Sequence, residues 1–149
     1  MNTGVMEPQR QLLQQSDASL LDPQGRALAA AVQWWELPGW PAAWPVAVLG
    51  QGPPLLLLHG FDSSHLEFRR LAPLLADQHQ LLIPDLFGFG FQPRPSDASQ
   101  GPEAVLSHLE RLLAVLPERI GAHGRLGLIG ASMGGAVAVA LARRCPEAF

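Results

Sequence analysis

Three short apolar runs, at Leu55–Leu58, Gln80–Pro84 and Leu126–Ile129, are separated by stretches of helical periodicity. This alternation narrows the choice of fold more than any other feature of the chain. Leu55–Leu58 is continuously apolar, which suits a central strand of a parallel sheet covered on both faces. After it, Ser64 precedes Glu67 by the capping-box spacing, and Leu66, Leu71, Leu74 and Leu75 continue a helical pattern. A second helix is predicted over Glu103–Leu116 from the stripe Val105, Leu106, Leu109, Leu112, Leu113 and Leu116, with Pro117 as its stop. A third, rich in small residues, is predicted over Gly134–Arg144, ahead of Pro146. Strands alternating with helices imply βαβ units, hence an α/β fold with a predominantly parallel sheet flanked by helices. At 149 residues the chain can build one sizeable core.

Residues 31–149 carry this pattern. Residues 1–30 have weak periodicity, and Asp22, Pro23 and Gly25 form a turn signal, so the expectation there is a mobile tail or an initial hairpin. Trp34, Trp35, Trp40 and Trp44 follow, broken by Pro38, Gly39 and Pro41, and a short strand is predicted at Pro45–Leu49. The tryptophans read as core and edge packing.

Composition removes several function classes. Only 15% of residues are charged, the net charge is −3 and no basic run occurs, which argues against nucleic acid or an anionic membrane as partner. All ten basic residues are arginine, which excludes a lysine Schiff base and a Walker phosphate loop. Cys145 is the single cysteine, so no disulfide can form within the chain. The N-terminal stretch is Gln-rich without an apolar h-region, and no apolar run is long enough to span a bilayer, so a cytoplasmic protein is expected. No metal-ligand cluster and no dinucleotide fingerprint occur in the sequence, so neither metal nor cofactor is expected.

Gly130-Ala131-Ser132-Met133-Gly134 fits G-x-S-x-G. The pattern describes a strand that ends in a sharp turn into a helix. The residue at the turn takes a strained conformation, and its neighbours two positions away must be small. Gly130, Gly134 and Gly135 meet that demand, and the turn would raise the Ser132 hydroxyl above the sheet edge at the positive end of the helix. The bare pattern is weak, and a Gly-rich turn with an idle serine is the alternative. The apolar strand before it and the Ala/Val-rich helix after it favour a nucleophile. Upstream, His59-Gly60-Phe61 ends the Leu55–Leu58 strand. Acyl transfer develops charge on a carbonyl oxygen, which two backbone N–H donors can hold. Phe61 and Met133 are the candidates, Gly60 permits close backbone approach, and His59 reads as a structural histidine that shapes the loop.

These segments, together with Pro84-Asp85-Leu86-Phe87-Gly88-Phe89-Gly90, occur in an order and spacing that resemble the serine-nucleophile branch of the α/β-hydrolase family over about residues 44–149. The resemblance implies the N-terminal portion of that fold, apparently truncated after the nucleophile helix. It implies a hydrolase of small-molecule esters, or of related acyl or carbon–carbon bonds, with Ser132 as nucleophile. Asp85 in the family's D-x-x-G-x-G turn shapes a loop beside the site and is not catalytic. Gln92 stands where the family often has serine. Phe87, Phe89 and Phe91 read as core packing, with an acyl pocket as the alternative. A serine at the elbow argues against the haloalkane dehalogenase and epoxide hydrolase branches, which use aspartate there.

The family's triad runs Ser, Asp or Glu, then His. After Ser132 this chain has one carboxylate, Glu147, and no histidine. The order His59, Asp85, Ser132 offers an upstream substitute, but His59 is expected at the oxyanion side. His65, His79, His108 and His123 read as surface residues. The second functional expectation is a non-catalytic module that self-associates through an exposed sheet edge.

Overall fold

A computed structural model describes residues 7–122 and 124–149. The first elements are two helices, α1 (Glu7–Ser19) and α2 (Pro23–Ala30). The hairpin expected within residues 1–30 does not form, and residues 1–6 of the expected tail lie outside the described residues. Asp22 explains the difference. Its side chain caps α2 by accepting the Gln24 N–H at 3.0 Å, and Pro23 occupies the first turn, so the Asp-Pro pair starts a helix. Asp22 also accepts from Arg69 Nε at 2.9 Å and pairs with Arg70, which fastens α2 to the body of the protein.

Five strands follow: β1 (Val32–Trp35), β2 (Trp44–Leu49), β3 (Pro54–Leu58), β4 (Gln80–Pro84) and β5 (Gly127–Gly130). They lie in the order β1-β2-β4-β3-β5. β3 is parallel to β4 and to β5, and β2 is antiparallel to β1 and to β4. β1, β3, β4 and β5 therefore share one direction and β2 opposes them, giving a mixed sheet. Helix α3 (Ala72–Leu75) follows a 3₁₀ turn at His65–Arg69; α4 (Pro102–Ile120) and α5 (Met133–Arg144) complete the chain.

The sheet separates two apolar layers. Leu56 and Leu58 face a layer with Trp44, Leu82, Leu109, Leu112 and Leu141, while Leu57 faces the opposite layer with Leu28, Phe68, Leu81 and Ile83. Alternate residues of β3 are thus buried on opposite faces, and the leucine run has no polar side to spare.

The long helix expected after Ser64 splits into the 3₁₀ turn and α3. Pro73 sits in the first turn of α3, where its ring removes an N–H and crowds the preceding turn. The capping box does not close. Ser64 Oγ accepts the Leu66 N–H at 3.2 Å, but the Glu67 carboxylate turns to Gly60 instead. Pro117 does not stop α4, which runs one turn further to Ile120 and ends at Gly121 with φ +80°. Proline near the end of a helix forfeits a single backbone bond, and Ile120 still packs on the core.

Candidate functional site

The two loops singled out in the sequence leave neighbouring strands at the same end of the sheet. Leu58 of β3 pairs in register with Gly130 of β5, and the Ala131 N–H donates to the Leu58 carbonyl at 3.0 Å. Beyond that bond both chains turn. A Cβ placed on Gly60 would lie 3.3 Å from Ser132 Cβ, so the His59-Gly60-Phe61 loop runs directly beside the serine.

Ser132 has φ +52° and ψ −120°, in a region that costs a residue with a side chain about 1–3 kcal/mol. The turn is held by steric closeness. A Cβ on Gly130 would lie 2.3 Å from the Gly134 carbonyl oxygen, and one on Gly134 would lie 2.1 Å from that of Leu58. Both positions exclude any side chain, as the motif requires. The Gly134 N–H donates to Ala131 O and the Gly135 N–H to Ser132 O, while Met133 begins α5 with its own N–H engaged by no group among the described residues. The Ser132 side chain is exposed and makes no capping bond.

On the facing loop the Gly60 N–H is taken, donating to Glu67 Oε2 at 2.7 Å. The Phe61 N–H is engaged by no group among the described residues. Glu67 thus fixes the loop that carries Phe61, a role hidden in the sequence by its capping-box spacing.

His59 is fully buried. Its Nε2 accepts the Leu86 N–H at 2.8 Å, which leaves Nδ1 to donate to Gly60 O at 2.8 Å. Burial pushes its pKa below the ordinary histidine value, against smaller upward pulls from the Gly60 bond and the nearby Asp85 and Glu67. With both ring nitrogens committed, His59 braces the loop and offers no free base.

Asp85 is buried and ties the following loop together. Its Oδ1 accepts from the His65 backbone N–H at 2.6 Å and from His65 Nδ1 at 2.8 Å; its Oδ2 accepts the Phe91 N–H at 2.8 Å. Gly90, at φ +56°, passes so close that a Cβ there would meet Oδ2 at 2.5 Å. Gln92 replaces the small hydroxyl residue of the family pattern with a longer reach: its Nε2 donates to the Asp85 carbonyl at 2.8 Å. Asp85 is therefore bonded to His65 and not to His59.

Two histidines expected at the surface are buried. His65 is held by Asp85. His108 lies on the inner face of α4, with ring centroids 3.9 Å from Trp40 and 4.0 Å from Phe87, and burial first, then the Arg111 charge, lowers its pKa to about 4. His79 is half-buried, with Nδ1 3.2 Å from Pro53 O, and His123 lies outside the described residues. The three phenylalanines separate: Phe87 is core, Phe91 lies beside the His65 ring, and Phe89 meets Phe61 edge-on at 5.5 Å.

Phe61, Phe89 and Met133 open an apolar groove of about 340 Å3 that continues between the start of α4 and one face of α5. Larger recesses lie against α1 and β1, beside Asp62–Arg69, and at Ala140, Arg143 and Arg144; none of these is lined by Phe61 or Met133. Among the described residues no group of His, Cys, Asp and Glu could hold a metal ion, and no helix is long and apolar enough to cross a membrane.

The sequence pattern of the alpha/beta hydrolase fold matches residues 53–149, which include both loops, the Asp85 turn and α5. The chain belongs to this family. It is similar to Lipase 1 of Psychrobacter immobilis, with 41% identity over 96 residues, covering 64% of this chain and 29% of the lipase. It is also similar to 2-hydroxymuconate semialdehyde hydrolase of Pseudomonas sp. (strain CF600), with 34% identity over 101 residues, 66% of this chain and 34% of that protein. The chain thus spans about a third of the length of these relatives. Among solved structures, it resembles Cfl2 of Burkholderia cenocepacia, with TM-score 0.67 and 30% identity over 79% of this chain and 38% of that one. The epoxide hydrolase VrEH1 of Vigna radiata aligns with TM-score 0.68 and 25% identity, covering 79% and 37%. The fold is therefore shared with an epoxide hydrolase, while the sequence is also similar to that of a lipase.

Proposed function

We propose that these residues form the nucleophile side of a cytoplasmic serine hydrolase acting on small-molecule esters, or on related acyl or carbon–carbon bonds. The observation that carries the reading is the backbone of Ser132. Glycine would adopt φ +52° at far lower cost, yet a residue with a hydroxyl stands there, exposed, at the start of a helix. In this mechanism Ser132 Oγ bonds to the ester carbonyl carbon. The carbonyl π electrons move onto oxygen, where the Phe61 and Met133 N–H groups and the positive end of α5 stabilise them. The Oγ proton passes to an imidazole base supplied from outside these 149 residues. The C–O bond to the alcohol then breaks, the alcohol leaves with that proton, and water cleaves the acyl-serine. The described histidines support an external base, because His59 and His65 are committed within the fold and His108 is enclosed by aromatic rings.

Fluorophosphonate labelling of the natural full-length protein tests the reading. Labelling at Ser132, lost in Ser132→Ala together with esterase activity, is the expected result. Esterase activity that survives Ser132→Ala overturns it. A second reading, a non-catalytic module that self-associates, draws on the outer edge of β5, which pairs with no strand among the described residues. It predicts a concentration-dependent dimer without serine labelling.

A further inference from the structure

The groove beside the serine has a direction, a lining and an end, and together these define a substrate class. It starts at Phe61, next to the Gly60 that approaches Ser132, and at Met133, which follows Ser132; these are the two residues proposed to hold the oxyanion. It then follows Met133, Ala136, Val137 and Ala140, which lie on one face of α5 at helical spacing, with Val105 and Leu106 of α4 opposite. Apart from Gln100, no side chain along it is polar. At 1.5 Å rise per residue, Met133 to Ala140 spans roughly 10 Å. One turn beyond Ala140 the surface becomes charged: Arg144 pairs with Glu103 at 2.8 Å and with Glu110 at 3.0 Å. The volume, about 340 Å3, is at the small end of ligand pockets.

We propose that this groove binds the acyl part of the substrate, and that the substrate is an ester of an unbranched, medium-length aliphatic acid. This deepens the serine-hydrolase reading and rests on it. The acyl side is assigned because the acyl carbon stays bonded to Ser132 after the alcohol has left, and the groove opens at Phe61 and Met133, whose amides are proposed to hold the carbonyl oxygen. Small side chains on α5 leave room for a chain of methylenes but offer no hydrogen bond to a polar one. The ion cluster around Arg144 sets the limit of favourable length, since a longer chain would strip water from charged groups without replacing it.

The test measures kcat/KM of the natural full-length protein on p-nitrophenyl acetate, butanoate, hexanoate and octanoate, beside a series of acetates of longer alcohols. Each methylene placed in the groove is expected to raise kcat/KM about fourfold, from a transfer free energy of ~0.8 kcal/mol, with a plateau once the groove is filled. The alcohol series is expected to be flat. Ala136→Phe blocks the near half of the groove and is expected to lower the hexanoate-to-acetate ratio at least tenfold. Ala140→Phe blocks only the far end and is expected to lower octanoate relative to butanoate. A flat acyl series overturns the groove assignment while leaving the serine reading intact, as does a slope that both variants leave unchanged. A slope on the alcohol side alone reverses the assignment and overturns it. Absence of any Ser132-dependent turnover or labelling overturns both readings.

Discussion

Gly134→Ala separates a structural turn from a catalytic one more sharply than loss of the serine does. The added methyl would lie 2.1 Å from the Leu58 carbonyl oxygen, 2.5 Å from that of His59 and 2.7 Å from the Leu58 carbonyl carbon. All three are backbone atoms of β3 and its continuation, so no side chain can swing aside. Restoring ordinary contact requires α5 to back away from β3 by roughly 1 Å, and overpacking of this kind costs about 1–3 kcal/mol or slightly more. The same shift carries the Met133 amide and Ser132 away from Gly60 and Phe61. A displacement near 1 Å at reacting groups costs on the order of a hundredfold in rate. The expected result is a Tm lowered by several degrees and a Ser132 labelling rate lowered about a hundredfold. Gly124→Ala is the control, since a Cβ there meets nothing within 4 Å. Thermal melts and fluorophosphonate labelling of both variants supply the readings. A Gly134→Ala protein with unchanged Tm and unchanged labelling would refute the packing argument and, with it, the reason for calling the turn strained.

Three further outcomes follow from polar groups that hold or face the loops and helices around the site. Asp85→Ala leaves the His65 N–H, His65 Nδ1 and the Phe91 N–H without their acceptor, and losing a buried partner of this kind costs about 3–5 kcal/mol, readable by urea denaturation; Asp85→Asn, which keeps oxygen at one of the two positions, is expected to lose less. His108 has a folded pKa of about 4 against an ordinary value near 6.5, so between those values the unfolded chain binds the extra proton; stability is full above about pH 6.5, falls as pH drops towards 4, and the total loss is about 1–3 kcal/mol, to be removed by His108→Phe in pH-dependent melts. Glu67→Gln keeps an oxygen that accepts the Gly60 N–H, whereas Glu67→Ala frees the loop carrying Phe61; the alanine variant is expected to lose roughly tenfold in kcat with little change in KM, and a pure KM effect would count against a role in placing the Phe61 amide.

The sequence by itself determined the parts whose cause is local or periodic. β4 has the bounds the apolar pattern gives, β3 and β5 fall within a residue or so of theirs, and α5 starts where the small residues begin. Gly130 and Gly134 stand where a turn between strand and helix has no room for a side chain, since a Cβ there would come within 2.3 and 2.1 Å of backbone oxygens. The structural reading of His59 follows from its place before Gly60 and is matched by two committed ring nitrogens.

Only the tertiary structure decided which distant groups meet. Asp22 reads as part of a turn until Arg69 and Arg70 arrive from another element. Glu67 reads as half of a capping box until the chain's path brings the Gly60 N–H within 2.7 Å, and the carboxylate accepts that N–H in place of the local one. Asp85 could have met His59 or His65; the Leu86 N–H takes His59 Nε2, and the chain's path after β3 brings the His65 N–H and Nδ1 to the carboxylate. His108 was in part legible, because it shares a helical face with Val105, Leu109 and Leu112; its polarity masked a position fixed by that periodicity. β2 was legible as the predicted strand Pro45–Leu49, but β1 and its antiparallel pairing with β2 were not, since tryptophan and proline break the alternation there. Periodicity specifies which face of an element is buried, but the partner across that face is set by packing of the whole chain, and hydrogen bonds between residues tens of positions apart exist only once that packing is made.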